Sequence, residues 1–134
     1  MVMAAASADA QPARGLVLPG GIHHVEIKTT DLARSTAFYT KLFGPGELGR
    51  DRTVIPLGAG ASRGYLSITT GPIPRLDHVA VKVPGMHPTD PKAAVASLTA
   101  AGVRARQVGS SVYAKDPDDF EVEVVSPRAP LTAK

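Results

Sequence analysis

Cysteine is absent from the 134-residue chain. That excludes disulfide frameworks, thiolate zinc sites and cysteine nucleophiles, so any metal here must be held by nitrogen and oxygen donors. Tryptophan is absent too, and three phenylalanines and three tyrosines are the whole aromatic complement. Basic residues exceed acidic ones, for a net charge of +3, but they are scattered. With so little aromatic surface, that pattern argues against a nucleic-acid partner. No run approaches the roughly 20 consecutive apolar residues of a membrane span. The opening MVMAAASADAQPARG lacks the basic n-region and the long apolar h-region of a signal peptide. It reads as part of a disordered tail over residues 1–20, and the protein as cytoplasmic. What remains, 43% hydrophobic and 20% charged, is the balance of one compact domain.

The body of the chain divides at TTGPIPRLDH, where two prolines and a glycine separate two strand-like runs. The flanking segments are alike. IHHVEIK (22–28) and LDHVAVK (76–82) share the pattern apolar, polar, His, Val, any residue, branched apolar, Lys, which is an internal repeat. After the first copy, DLARSTAFYTKLFG carries Asp31 as N-cap, Leu32, Tyr39, Leu42 and Phe43 at helical spacing, and Gly44 as the closing glycine. After the second, DPKAAVASLTAAG carries Asp90 as N-cap, Pro91 at the first helical position and Gly102 at the end. Three short β-type runs follow each helix. The expectation is α+β: two βαβββ modules, 21–70 and 75–127, in one domain that forms a curved, cleft-enclosing mixed sheet with the helices outside. A short tail, 128–134, follows.

Strand residues two apart share a face. Val25 and Ile27 therefore turn towards the first helix and His24, Glu26 and Lys28 away from it. In the repeat, Val79 and Val81 are covered while His78, Ala80 and Lys82 face inward. The last strand of module one puts Leu66 and Ile68 under its helix and Tyr65, Ser67 and Thr69 in the enclosure. In module two Val122 and Val124 are covered and Glu121, Glu123 and Val125 face in. On this reading His24, not His23, aligns with His78, and His23 points to the helix side or the frayed strand start. A strand histidine is often only a satisfied core or surface residue. Two repeat-related histidines and a carboxylate on one inner face also make a metal site.

The segments HHVEIKTTDLARSTAFYTKLFG, LDHVAVKVPG, AAGVRA and SVYAKDPDDFEVEVV resemble the vicinal oxygen chelate superfamily of glyoxalases, bleomycin-resistance proteins and extradiol dioxygenases. The resemblance implies paired βαβββ modules around one divalent metal, Fe(II), Mn(II), Ni(II) or Zn(II). By the family pattern the ligands are His24, His78 and Glu123. Two departures stand out: Ser67 occupies the position of a fourth ligand, and Asp119-Phe120 stands where the family usually has Gly-Asn. Two histidines and one carboxylate suit Fe(II) and oxygen or chelating substrates. Extradiol dioxygenases also carry an additional catalytic His and Tyr. Neither His23 nor His87 is clearly placed for that role, and Tyr65 and Tyr113 are the candidate phenols.

Glu26 shares the face of His24 and is a candidate proton carrier; its plainer reading is a carboxylate paired with Lys28 or Lys82. Those two lysines, with Lys115, imply a positive cleft and an anionic substrate, unless they simply extend into water. Lys28, Tyr65, Ser67, Lys82 and Tyr113 are thus the candidate substrate contacts. KDPDD is too short for a calcium loop and reads as a turn; PLGAGASRG reads as a hairpin connection. Two functions follow: a metal-dependent isomerase, lyase or dioxygenase acting on a small oxygen-chelating molecule, or a metal-free binding protein of the bleomycin-resistance type. The resemblance also implies a homodimer.

Overall fold

A computed structural model of the chain describes residues 19–85, 90–127, 129 and 131. His87 and most of the two expected tails lie outside the described residues. The backbone pairs with the sheet from Gly20, whose N–H donates to the Lys82 carbonyl at 2.7 Å, and Lys82 N–H returns a bond to Gly21 at 2.8 Å.

The element order is β1 (Ile22–Thr29), α1 (Leu32–Phe43), β2 (Glu47–Leu48), β3 (Arg52–Leu57), β4 (Gly64–Thr70), β5 (Arg75–Lys82), α2 (Pro91–Ala100), β6 (Arg104–Val108), β7 (Ser111–Lys115) and β8 (Glu121–Val125). This is βαβββ twice. Both helices start as their caps dictate. Asp31 accepts from Arg34 N–H at 3.0 Å and Asp90 from Ala93 N–H at 3.1 Å, satisfying donors that a first turn leaves orphaned. Gly44, at φ 102°, ends α1 with its N–H on the Thr40 carbonyl, a conformation that suits glycine.

The eight strands form one mixed sheet in the order β2-β3-β4-β1-β5-β8-β7-β6. Within each module the first strand lies parallel to the last, β1 to β4 and β5 to β8, and the modules join through the antiparallel pair β1–β5. Each module has its own small core. Ile55, Leu66 and Ile68 pack under Leu32 and Tyr39 of α1, while Val83, Val112 and Val124 pack with Leu98 of α2. Because α2 lies over β6 and β7, it does not reach the start of β8. Val122, expected under the helix, is 37% exposed.

The KDPDD turn takes the conformation that glycine would supply. Asp119 sits at φ 68°, in the left-handed region that aspartate tolerates better than most residues, and Arg104 holds its carboxylate at 2.7 Å. Asp116 accepts from the N–H groups of Asp118 and Phe120, closing the connection from β7 to β8. Among the described residues no helix is long and apolar enough to cross a membrane.

Candidate metal centre

The repeat itself brings the two histidines together. Val25 and its equivalent Val79 stand opposite each other across the β1–β5 pair, so the local two-fold axis relating the modules passes between them. His24 and His78, each one residue from that axis, meet diagonally across it. Their rings are 5.2 Å apart and edge to face, with the Nε2 atoms 3.1 Å apart.

The third member arrives from β8. His24 stands opposite Ala80, and Ala80 opposite Glu123, forming a row across three strands. With strands about 4.8 Å apart, the outer two residues are separated by two spacings. Their side chains meet because Ala80, fully buried, offers only a methyl group between them. Glu123 Oε2 lies 3.2 Å from His24 Nε2 and 3.0 Å from His78 Nε2. All three side chains are buried.

That triangle fits a metal. Bonds of about 2.0–2.2 Å at right angles place neighbouring donor atoms about 2.8–3.1 Å apart, close to the three observed separations. Two imidazoles and one carboxylate on one face form the donor set of the facial triad, and the three atoms group as a candidate site. Burial alone would raise the Glu123 carboxyl, but hydrogen bonds with His24, His78 and Ser111 outweigh it and hold the group well below the ordinary carboxylate range. For His78, burial pulls downward, yet its bonds to Glu123 and Asp77 and the nearby Glu26 charge leave its pKa raised.

The triangle opens on a cavity of about 300 Å³ whose wall also includes Glu26, Arg52 and Tyr113. Glu26 is tied down: Ser67 donates to its Oε1 at 3.2 Å, Arg52 to the same atom at 3.1 Å, and Lys28 Nζ lies 3.4 Å from Oε2. Its position explains the missing fourth ligand. In the repeat, Glu26 is equivalent to Ala80 and Ser67 to Glu123, so the modules carry a carboxylate and a small residue in exchanged places. Module one's carboxylate consequently sits on β1, near the other ring nitrogen of His78 (Glu26 Oε2 to Nδ1, 3.7 Å).

Four of the expected substrate contacts are not on the cavity wall. Ser67 is fully buried beneath Glu26, Lys28 is engaged with that carboxylate, and Lys82 donates to the Ser62 carbonyl at 2.8 Å. Tyr65 lies under the Arg63 guanidinium. Among the described residues, the lysine or arginine on the wall is Arg52 instead. Tyr113 does reach the cavity, its ring edge to face with His78 and stacked under Arg106. Burial first, then the charges of Glu123 and Glu26, push its hydroxyl up to about 12.

His23 does not point to the helix side. The register slips by one residue between Ile22 and His24, a β-bulge that leaves His23 without a partner on β5 and turns it to the same side as His24. It is buried on the cavity wall. A second slip, between Glu26 and Ile27, does the same for Asp77 on β5. Asp77 accepts from His78 Nδ1 at 2.9 Å. Strict alternation concealed both residues, although both precede a histidine at equivalent places in the repeat.

The family model of the glyoxalase/bleomycin resistance protein/dioxygenase superfamily matches residues 21–124. The chain belongs to this superfamily. No match was found among proteins of curated function. Among solved structures, this superfamily member is similar to homoprotocatechuate 2,3-dioxygenases. A Brevibacterium fuscum complex with 3,4-dihydroxyphenylacetate superposes with a TM-score of 0.66 at 23% identity, over 86% of this chain and 39% of that one. The Arthrobacter globiformis enzyme gives 0.62 at 25% identity, over 81% and 36%. A room-temperature extradiol dioxygenase from B. fuscum gives 0.65 at 23%, over 86% and 35%. The chain thus spans little more than a third of the length of these structures.

Proposed function

We propose that this superfamily member is a metal-dependent enzyme of the dioxygenase or glyoxalase type, acting on a small anionic substrate that chelates through adjacent oxygens. The observation that carries this reading is the triangle of His24 Nε2, His78 Nε2 and Glu123 Oε2, with sides of 3.0–3.2 Å. These three residues would hold one Fe(II), Mn(II), Ni(II) or Zn(II) ion and leave positions open for substrate. Once bound, the ion supplies Lewis acidity that stabilises negative charge developing on a substrate oxygen.

The remaining work belongs to side chains on the wall. Tyr113, with its hydroxyl pushed up to about 12, stays protonated at neutral pH and donates a hydrogen bond or proton to a substrate oxygen. Arg52 offers the fork geometry that pairs with a substrate carboxylate, in place of Lys28 and Lys82. Glu26, engaged by Arg52, Lys28 and Ser67, positions that guanidinium, a role that replaces proton carrier.

Ring cleavage with Fe(II) and oxygen is the favoured chemistry within this type. The donor set is that of non-haem Fe(II) oxygenases, and 3,4-dihydroxyphenylacetate, bound by one structural relative, combines adjacent oxygens with a carboxylate. The homodimer remains part of the proposal; the cleft itself is built from two modules of one chain.

Anaerobic loading with Fe(II), followed by oxygen-electrode measurements on catechols with and without a carboxylate, tests this. The expected result is substrate-dependent oxygen uptake, faster with the carboxylate and abolished by His78→Ala. Proton exchange by the Zn(II)- or Ni(II)-loaded protein without oxygen uptake would move the assignment to an isomerase or lyase. Ligand binding undiminished by metal removal would favour the metal-free binding protein.

A further inference from the structure

Each metal-ligating histidine of the proposed site is preceded by a residue displaced from the strand register by a bulge: His23 before His24, and Asp77 before His78. Both displaced side chains reach the Nδ1 atom of the histidine that follows. His23 Nδ1 lies 2.8 Å from His24 Nδ1, and Asp77 Oδ2 lies 2.9 Å from His78 Nδ1.

The proton positions follow from what each partner can do. A carboxylate only accepts, so His78 carries its proton on Nδ1 towards Asp77. The Ala129 carbonyl also only accepts, and it lies 2.7 Å from His23 Nε2, so His23 carries a proton there. The two facing Nδ1 atoms share one further proton. A neutral His23 with its proton on Nε2 leaves Nδ1 bare, so it accepts across the 2.8 Å contact. The proton then sits on His24 Nδ1. Glu123 also only accepts, and its Oε2 faces both Nε2 atoms, so it competes for these protons in the metal-free protein; a metal ion in the triangle would take Nε2 and leave the protons on Nδ1.

We infer that the residue preceding each histidine is its orienting partner, and that the paired bulges exist to place an acceptor at Nδ1 and keep Nε2 available for metal. His23 and Asp77 are positioning residues acting through His24 and His78. The proton positions on His24 and His78 rest on the metal site proposed above; the contacts at Nδ1 do not. A neutral ring nitrogen is made available as a ligand by the hydrogen bond its other nitrogen makes. Asp77, a charged acceptor, strengthens its histidine as a donor more than His23 does. His23 also connects a ligand to the C-terminal segment through Ala129.

Long-range proton–nitrogen NMR on the Zn(II)-loaded, ¹⁵N-labelled full chain reads the tautomers directly, at about pH 8.5, above the ordinary histidine range. Protons are expected on Nδ1 of His24 and His78 and on Nε2 of His23. In His23→Ala the Nδ1 proton of His24 should exchange faster with water, with His78 unchanged; Asp77→Ala should do the reverse. Calorimetric titration with Zn(II) should find each alanine variant weaker by about 10- to 100-fold. His23→Asn, whose amide oxygen can stand near Nδ1, should recover most of the loss. A wild-type His24 with its proton on Nε2 overturns the inference. So do unchanged Nδ1 proton exchange and unchanged Zn(II) affinity in both alanine variants while His24→Ala abolishes binding. A protein that takes up no Zn(II), but whose Nδ1 protons on His24 and His78 exchange faster in His23→Ala and Asp77→Ala respectively, would support the orienting contacts and remove the metal reading alone.

Discussion

Ala80→Leu tests the geometry that joins the two modules' donors. His24 and Glu123 reach each other over the side chain of Ala80, which is fully buried, and their contact is 3.2 Å. Leucine adds three heavy atoms in that gap. Overpacking of this kind costs about 1–3 kcal/mol of stability. It also drives Glu123 away from His24, leaving a two-histidine site that should bind metal about 100-fold more weakly, equivalent to about 2.7 kcal/mol. Ala80→Gly is the control: it keeps the gap open, costs about 0.5–1 kcal/mol through the backbone, and should leave affinity nearly unchanged. Calorimetric metal titration and urea unfolding of the three proteins separate these effects. If the leucine variant binds metal as tightly as wild type, the two side chains do not converge over β5 and the reasoning fails.

Other outcomes follow from the same contacts. Glu26→Gln should lose about 1–3 kcal/mol in urea unfolding, because Arg52 and Lys28 surrender a buried partner while remaining partly exposed, and it should leave metal affinity within a few fold. Tyr113→Phe should slow turnover of the loaded enzyme by about 100-fold or more without changing metal content, which steady-state kinetics and elemental analysis would separate. The raised pKa of His78 gives opposite pH trends with and without metal. Its pairing stabilises the metal-free protein fully below its unfolded pKa of about 6.5, and this contribution fades as pH rises through the higher folded value. Metal must displace that proton, so affinity should tighten over the same rise; unfolding and titration from about pH 6 to 9 would record both slopes.

The repeat made most of the architecture legible. IHHVEIK and LDHVAVK locate the central strands, and Asp31, Gly44, Asp90 and Pro91 bracket the helices where the structure has them. The inward set His24, His78 and Glu123 also followed from alternation together with the family pattern, and these residues do converge. Alternation failed at the two bulges, because a one-residue slip in register depends on the partner strand and leaves no local composition signal. His23 and Asp77 were hidden for that reason. Arg52 was missed differently: it starts an outer strand, β3, two strands from β1, and its long side chain reaches past β4 to Glu26 at 3.1 Å. The exchange of Glu26 and Ser67 for Ala80 and Glu123 was present in the aligned repeats all along, visible once both strands of each module are compared together.

The central claim is that His24, His78 and Glu123 together hold one metal ion. Elemental analysis of protein purified without chelators, in parallel with His24→Ala, His78→Ala and Glu123→Ala, tests it most directly. The account predicts about one divalent ion per wild-type chain and near-complete loss in each folded variant. A wild-type protein without stoichiometric metal that also fails to take up Fe(II), Mn(II), Ni(II) or Zn(II) would contradict it.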